Sequence, residues 1–208
     1  MSDEFLKHAY SLENAKATEA FYRAWAQKYD DDIIDNGYET PRRCAEALAR
    51  FADDLSAPLL DIGCGTGLSG MAFAAAGFGS RFGNDLCQDM INIAEERQIY
   101  EDIQLVDLNN ALDFPYGHFR YIAAVGVIAV GHAPASTISD VISKLDEDGL
   151  FVFSLNDPTL KDGSYEPVIE NAIADGLVEL LSCDYGTHLP KIGMQSKVYV
   201  LKKKSQSA

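Results

Sequence analysis

No stretch of this 208-residue chain stays apolar long enough to cross a bilayer: the longest run, residues 121–130, is ten residues, about half of the ~20 a spanning helix requires. Residues 1–10 carry Asp3, Glu4 and Lys7 and lack the basic start and apolar middle of a signal peptide. Cysteine is sparse. Cys44, Cys64, Cys87 and Cys183 form no CxxC pair and no Cys/His cluster of zinc-ligand spacing, so each reads as a small core residue of a soluble, reduced, cytoplasmic protein that holds no metal. Positive charge is scarce as well. Seventeen Lys and Arg stand against 32 Asp and Glu, a formal charge of −15. That balance argues against a nucleic-acid partner, because affinity for phosphates comes from clustered basic residues that displace counterions. A small neutral or cationic acceptor suits it better, although the charge also serves solubility alone. There is no long internal repeat, low-complexity tract or linker, so residues 1–208 read as one domain, a length that buries about 70% of its unfolded surface. Oligomeric state stays open.

What the chain does have is Leu59-Leu-Asp-Ile-Gly-Cys-Gly-Thr-Gly-Leu-Ser-Gly70, an apolar strand running into a carboxylate and then into glycines at alternate positions before a helical pattern. Glycine removes the Cβ that keeps a ligand at a distance, so Gly63, Gly65 and Gly67 imply a molecule lying against the main chain. Gly65-x-Gly67-x-x-Gly70 fits the dinucleotide fingerprint. Asp61-x-Gly63-x-Gly65-x-Gly67 fits equally the pattern of Rossmann-like methyltransferases that use S-adenosylmethionine.

Before this stretch, Ala17, Phe21, Trp25 and Tyr29 recur every four residues and predict a helix over 11–29 capped by Ser11. Thr40 as cap, Pro41 just inside, and the stripe Cys44, Leu48, Phe51 and Leu55 predict a second. Residues 1–56 are expected to form a helical lid over a core of residues 57–201, with 202–208 as a frayed tail. In that core, strands over 59–62, 80–84, 103–106, 121–127 and 150–155 alternate with helices over 68–76, 87–98, 134–145 and 164–175, which predicts a parallel sheet covered on both faces. Segments 177–185 and 192–201 follow with no helix between them, a hairpin signal. The predicted fold is α/β: a mostly parallel, seven-stranded Rossmann-like sheet that ends in an antiparallel hairpin.

Ligands of an open parallel sheet bind beyond the carboxyl ends of its strands. Here those ends carry Asp61, Asp85, Asp107, the segment from Gly126 to His132, and Asn156-Asp157. Asp85 is placed to receive the hydroxyls of an adenosine ribose, with helix capping as its plainer role. Asp107 can accept from an adenine amino group, and Leu86, Met90 and Val127 can sandwich the ring. Asp61 separates the two ligands: beside a pyrophosphate a carboxylate is costly, whereas the methionyl part of S-adenosylmethionine carries an ammonium group.

Asp61-Ile-Gly-Cys-Gly-Thr-Gly67, Gly83-Asn-Asp-Leu86 with Met90, Val106-Asp-Leu108 and Val125-Gly-Val127 resemble successive motifs of the class I S-adenosylmethionine-dependent methyltransferases. Trp25-x-x-x-Tyr29-Asp30, Gly37-Tyr38-x-x-Pro41 and Gly131-His132 resemble more narrowly the small Williams-Beuren-type methyltransferases. The resemblance implies that Asp61, Gly63, Cys64 and Gly65 hold the methionyl part, Asp85 the ribose, Asp107 and Leu108 the adenine, with Leu86, Met90, Gly126 and Val127 around them and Tyr29 closing over the cofactor. Cys87 departs from the pattern, since relatives often have Ser there.

Methyl transfer from a sulfonium is an in-line displacement, in which holding the acceptor close to the methyl carbon is the protein's main task. Tyr29 or Tyr22 can add a cation–π contact of about 0.5–2 kcal/mol. Where the acceptor, an O or N atom of a small molecule, must lose a proton, His132 is the best-placed base, with Asn156 as a second catalytic candidate. His8, His118 and His188 read as surface residues. The alternatives are a nicotinamide-dependent reductase and a non-catalytic S-adenosylmethionine-binding protein, since fold does not dictate chemistry.

Overall fold

The structure, a computed structural model, describes residues 15–106 and 119–205. Asp107, Leu108 and His118, together with Ser11 and His8, lie outside the described residues. Seven strands form one sheet: β1 (Leu59–Ile62), β2 (Arg81–Asp85), β3 (Asp102–Leu105), β4 (Phe119–Ala124), β5 (Leu145–Asn156), β6 (Val178–Leu189) and β7 (Met194–Lys203). Their order is β3-β2-β1-β4-β5-β7-β6. The first five are mutually parallel, and β7 runs antiparallel to both β5 and β6. This is the expected sheet and hairpin.

The chain winds from β1 outward to β2 and β3, then returns to β4 on the other side of β1. The order therefore reverses between β1 and β4, and a crevice opens there at the carboxyl ends. Strand alternation splits the core in two. Leu60 and Ile62 pack with Ile138, Val141 and Ile142 of α5 (Ser136–Lys144) and with Ile169 and Ala172 of α7 (Glu166–Ala174). Leu59 faces the other way, onto Cys44 and Leu48 of α2 (Thr40–Ala49) and Phe73 of α3 (Leu68–Ala75). Both faces are covered, which is why residues 121–130, from within β4 onward, read as an unbroken apolar run.

Several boundaries move, each for a local reason. α1 (Ala15–Asp35) continues past Tyr29, since Trp25 Nε1 donates to Asp32 at 2.7 Å and Ile33 is buried; it stops before Gly37, whose φ is +77°. The N-terminal segment is not one lid. α1 lies at the mouth of the crevice, whereas α2 buries Cys44, Ala45 and Leu48 in the core. Thr40 is no cap either: its hydroxyl lies 2.7 Å from His188 Nδ1 and 3.1 Å from Ser196 Oγ. His188 is accordingly buried, contrary to the surface expectation, and burial lowers its pKa to about 4. The expected tail shortens too. Lys202 and Lys203 belong to β7, paired with Leu150 and Val178, and Lys203 Nζ donates to the carbonyl of Leu145 at 2.6 Å. A short helix, α6 (Asp157–Asp162), follows β5 where the sequence pattern predicts none. No described helix is long and apolar enough to cross a membrane.

Candidate active site

The crevice holds a pocket of about 570 Å³. Gly63 and Gly65 form its floor, and Asp85 and Leu86 at the end of β2 form one wall with Met90 of α4 (Gln88–Glu96). The loop after β4 supplies Val125, Gly126, Val127, His132 and Ala133, while α1 supplies Tyr22 and Tyr29. A second pocket, of about 270 Å³, shares Tyr29, Gly63, Gly65 and Val125 with the first and extends past Cys64, Thr66 and Ser69 to Tyr38 and Pro41. The two form one elongated site. Tyr29, Gly63, Gly65, Asp85, Leu86, Met90, Gly126, Val127 and His132 thus come together from four separate segments, and Cys64 lines the extension.

Asp85 braces the glycine loop as well as facing the pocket. Its Oδ2 accepts from the Gly65 amide at 2.8 Å and its Oδ1 from the Cys87 amide at 2.9 Å, where α4 begins. The carboxylate therefore does the capping for which Cys87 has no hydroxyl. Each oxygen retains a lone pair for a ligand, and burial raises the carboxyl's pKa. Gly65 has φ +54°, and no atom lies within 4 Å of the Cβ a larger residue would carry there. The loop thus presents bare main chain to the pocket.

Asp61 lines neither pocket. It is fully buried behind the loop, where its Oδ2 accepts from Ser69 Oγ and from Tyr100 Oη, both at 2.6 Å. Its Oδ1 is buried with no hydrogen-bond partner among the described residues. Desolvation pushes the carboxyl up to about 6. Such an orphan acceptor is expensive unless a donor reaches it. Tyr100 also explains Gly70: a Cβ there would stand 2.4 Å from the phenol oxygen and Cζ. The third glycine of the apparent dinucleotide fingerprint makes room for a tyrosine, not for a pyrophosphate.

Asn156 leaves the catalytic set. Its side-chain oxygen accepts from the amide and hydroxyl of Thr159, at 3.2 and 2.8 Å, and so caps α6 away from the pocket. His132 lines the pocket, with its Nδ1 3.2 Å from the carbonyl of Val130 and its Nε2 2.7 Å from Tyr22 Oη. Burial lowers its pKa from the ordinary 6.5. Two contributors stood in the motifs of the narrower resemblance without being given a role. Asp30, in α1, accepts from Thr66 Oγ1 at 2.5 Å and pairs with the guanidinium of Arg97, tying the helix to the glycine loop and to the end of α4. Tyr38 enters the extension, and its hydroxyl occupies the space beside Gly126, 2.4 Å from where a Cβ would be.

S-adenosylmethionine fits these residues. A buried carboxylate with an unsatisfied oxygen suits an ammonium group, a glycine floor admits close approach, and Asp85 offers acceptors to a ribose. The matching family is described as the methyltransferase domain, over residues 37–189, and the chain belongs to it. It is similar to methyltransferase-like protein 27 of Homo sapiens, 32% identical over 124 residues, covering 58% of this chain and 51% of that one. It is also similar to the 18S rRNA (guanine-N(7))-methyltransferase RID2 of Arabidopsis thaliana, 34% identical over 94 residues, covering 44% and 32%. The chain thus spans about half the length of the first relative and about a third of the second. Among solved structures, magnesium protoporphyrin IX methyltransferase from Synechocystis with bound S-adenosylhomocysteine superposes with a TM-score of 0.69 over 92% of this chain and all of that one, at 16% identity. That confirms the class I methyltransferase fold, whose cofactor is S-adenosylmethionine.

These relatives overturn the exclusion of nucleic acid, and with it the small-molecule acceptor. RID2 is by its name an 18S rRNA methyltransferase. Net charge sums a whole surface, whereas a nucleobase is recognised by the few groups around the pocket, and the counterion argument concerns phosphate affinity alone.

Proposed function

We propose that this chain transfers the methyl group of S-adenosylmethionine to a nitrogen of a base in RNA. The observation that carries this reading is the joining of a glycine-floored cofactor site to an aromatic mouth, Tyr22 and Tyr29, in a domain that resembles an rRNA methyltransferase. Single-stranded bases splayed out of a helix are stacked on aromatic side chains, a contact that does not depend on the net charge of the chain. When bound, the cofactor supplies a methyl group activated on a sulfonium.

The protein's residues hold and orient it. Asp85 would receive the ribose hydroxyls, and Asp61, through its unpartnered oxygen behind Ser69 and Gly63, the ammonium. Leu86, Met90 and Val127 would enclose the adenine, and Tyr29, fixed by the Asp30 contacts of its helix, would close the site against water. Orientation of the reacting atoms is the main catalytic contribution such a site makes.

The test uses purified protein, S-adenosylmethionine with a labelled methyl group, and two unmodified RNAs, a small-subunit ribosomal transcript and a random-sequence pool. Label recovered in nucleosides of either RNA is expected, with calorimetric binding of S-adenosylmethionine and none of NAD(P). Cofactor binding without label in either RNA overturns the acceptor; NAD(P) binding alone overturns the whole reading.

A further inference from the structure

We propose that Tyr22 and His132 act as one unit that selects an acceptor nitrogen bearing a hydrogen and removes that hydrogen during transfer. The inference rests on the RNA reading above and narrows it. The Val130 carbonyl beside His132 Nδ1 can only accept, so Nδ1 carries the ring proton, and in the neutral imidazole Nε2 presents its lone pair. Tyr22 Oη, 2.7 Å away, therefore gives its one proton to Nε2. The phenol oxygen is left with lone pairs alone for anything else in the pocket it lines. It can receive a donor and cannot act as one.

This polarity suits an exocyclic amino group or a ring N–H. A ring nitrogen that already offers a lone pair, such as guanine N7, would find nothing to give it a hydrogen bond at Tyr22 and has no proton to lose. In the step, the acceptor nitrogen forms its bond to the methyl carbon as the carbon–sulfur bond breaks, and the sulfur keeps that electron pair. The nitrogen's proton passes to Tyr22 Oη while Tyr22's own proton passes to His132 Nε2. The imidazolium so formed later releases the proton to solvent.

Tyr22 is the catalytic residue here, and His132 acts through it. The fit is unusual in sequence terms, because the two side chains lie 110 residues apart and meet only because α1 crosses the loop after β4. Among the described residues, the other titratable groups lining the pocket are Tyr29 and Asp85. Asp85 is raised by burial and also protonates on the acid side, so the pH profile of the variants must be read against that of the wild type.

Three measurements test the unit. Nucleosides from the methylated transcript are expected to carry the label on a nitrogen that bore a hydrogen; label on guanine N7 overturns the inference while leaving RNA methylation standing. Y22F is expected to lower turnover about 100-fold with calorimetric affinity for S-adenosylmethionine within about twofold, and both Y22F and H132Q should lose the wild-type acid limb below pH 6.5 that His132 contributes. Independently of turnover, the imidazole of His132, followed by NMR in the full chain, should titrate at higher pH in Y22F, because the phenol's hydrogen bond holds the neutral ring. An unchanged titration, or wild-type turnover in Y22F, overturns the proposal.

Discussion

The two ends of the pocket are built differently. At the cofactor end, Asp61 and Asp85 finish neighbouring strands whose register is set by the sheet: Asp61 stands opposite Gly83, and Asp85 follows Asn84, whose side-chain oxygen accepts from the Gly63 amide at 3.2 Å. Backbone amides of Gly65 and Cys87 lock Asp85 to the loop, and the hydroxyls of Ser69 and Tyr100 hold Asp61. At the acceptor end, Tyr22 and Tyr29 ride on a helix outside the sheet, and side chains fasten it: Asp30 to Thr66 and Arg97, Tyr22 to His132. One end is as rigid as the sheet. The other is held by side-chain contacts, the polar ones above and the packing of Trp25 and Ile33 with Leu189 and of Ala26 with Cys87 and Met90, so the acceptor end can be tuned by changes that leave the sheet untouched.

That contrast can be broken at its stronger end first. Asp85→Ala removes the acceptors expected to hold the ribose and frees the Gly65 and Cys87 amides, so the dissociation constant for S-adenosylmethionine should rise about 100-fold, given roughly 1.5–3 kcal/mol for each hydrogen bond to a charged group; calorimetry reads it, and an unchanged constant would reduce Asp85 to a loop brace. Gly70→Ala drives a methyl into the Tyr100 ring. It should cost about 1–3 kcal/mol in urea unfolding, with no such loss at Gly163, where a Cβ has open space, once the strain of its φ of +79° is allowed for.

Acidification probes the carboxylates of the cofactor end, both raised by burial, with Asp61 foremost. Its carboxyl titrates near 6 in the free protein, and an ammonium group is held by the ionised form. Affinity should therefore be flat above that pH and fall as pH drops through it, by about tenfold at pH 5. Affinity that holds constant down to pH 5 would detach Asp61 from the cofactor. The mildest change is Asp30→Asn, which weakens the tie of α1 without touching the sheet. It should raise the dissociation constant roughly fivefold, on the order of 1 kcal/mol for a half-buried ion pair, and speed hydrogen exchange in α1 but not in β1; equal protection of α1 in the variant and the wild type would mean that packing alone holds the helix.

Much of the cofactor end was legible in the sequence. Strand ends, glycine spacing and carboxylates at 61 and 85 are local features, and a parallel sheet necessarily gathers them on one rim. Their detailed roles were not. Asp61 reads as a ligand contact, but Tyr100 and Ser69 take one of its oxygens. Asn156 reads as catalytic, yet Thr159 three residues on claims its oxygen for a helix cap. Competition for the same acceptor is settled by whichever donor the fold brings nearest, and spacing does not encode that. The acceptor failed for a different reason: −15 is a property of the whole chain, and recognition of a base is a property of one pocket.

The sequence by itself determined the sheet and its order of layers, the antiparallel finish and the glycine floor, because these follow from periodicity, turn chemistry and the absence of side chains at chosen positions. Only the tertiary structure decided that α1 and α2 part company, that Gly70 exists for Tyr100, and that Tyr22 meets His132. Each depends on contacts between segments far apart in the chain, where the free energy lies in packing and in shared hydrogen-bond partners that no local pattern records.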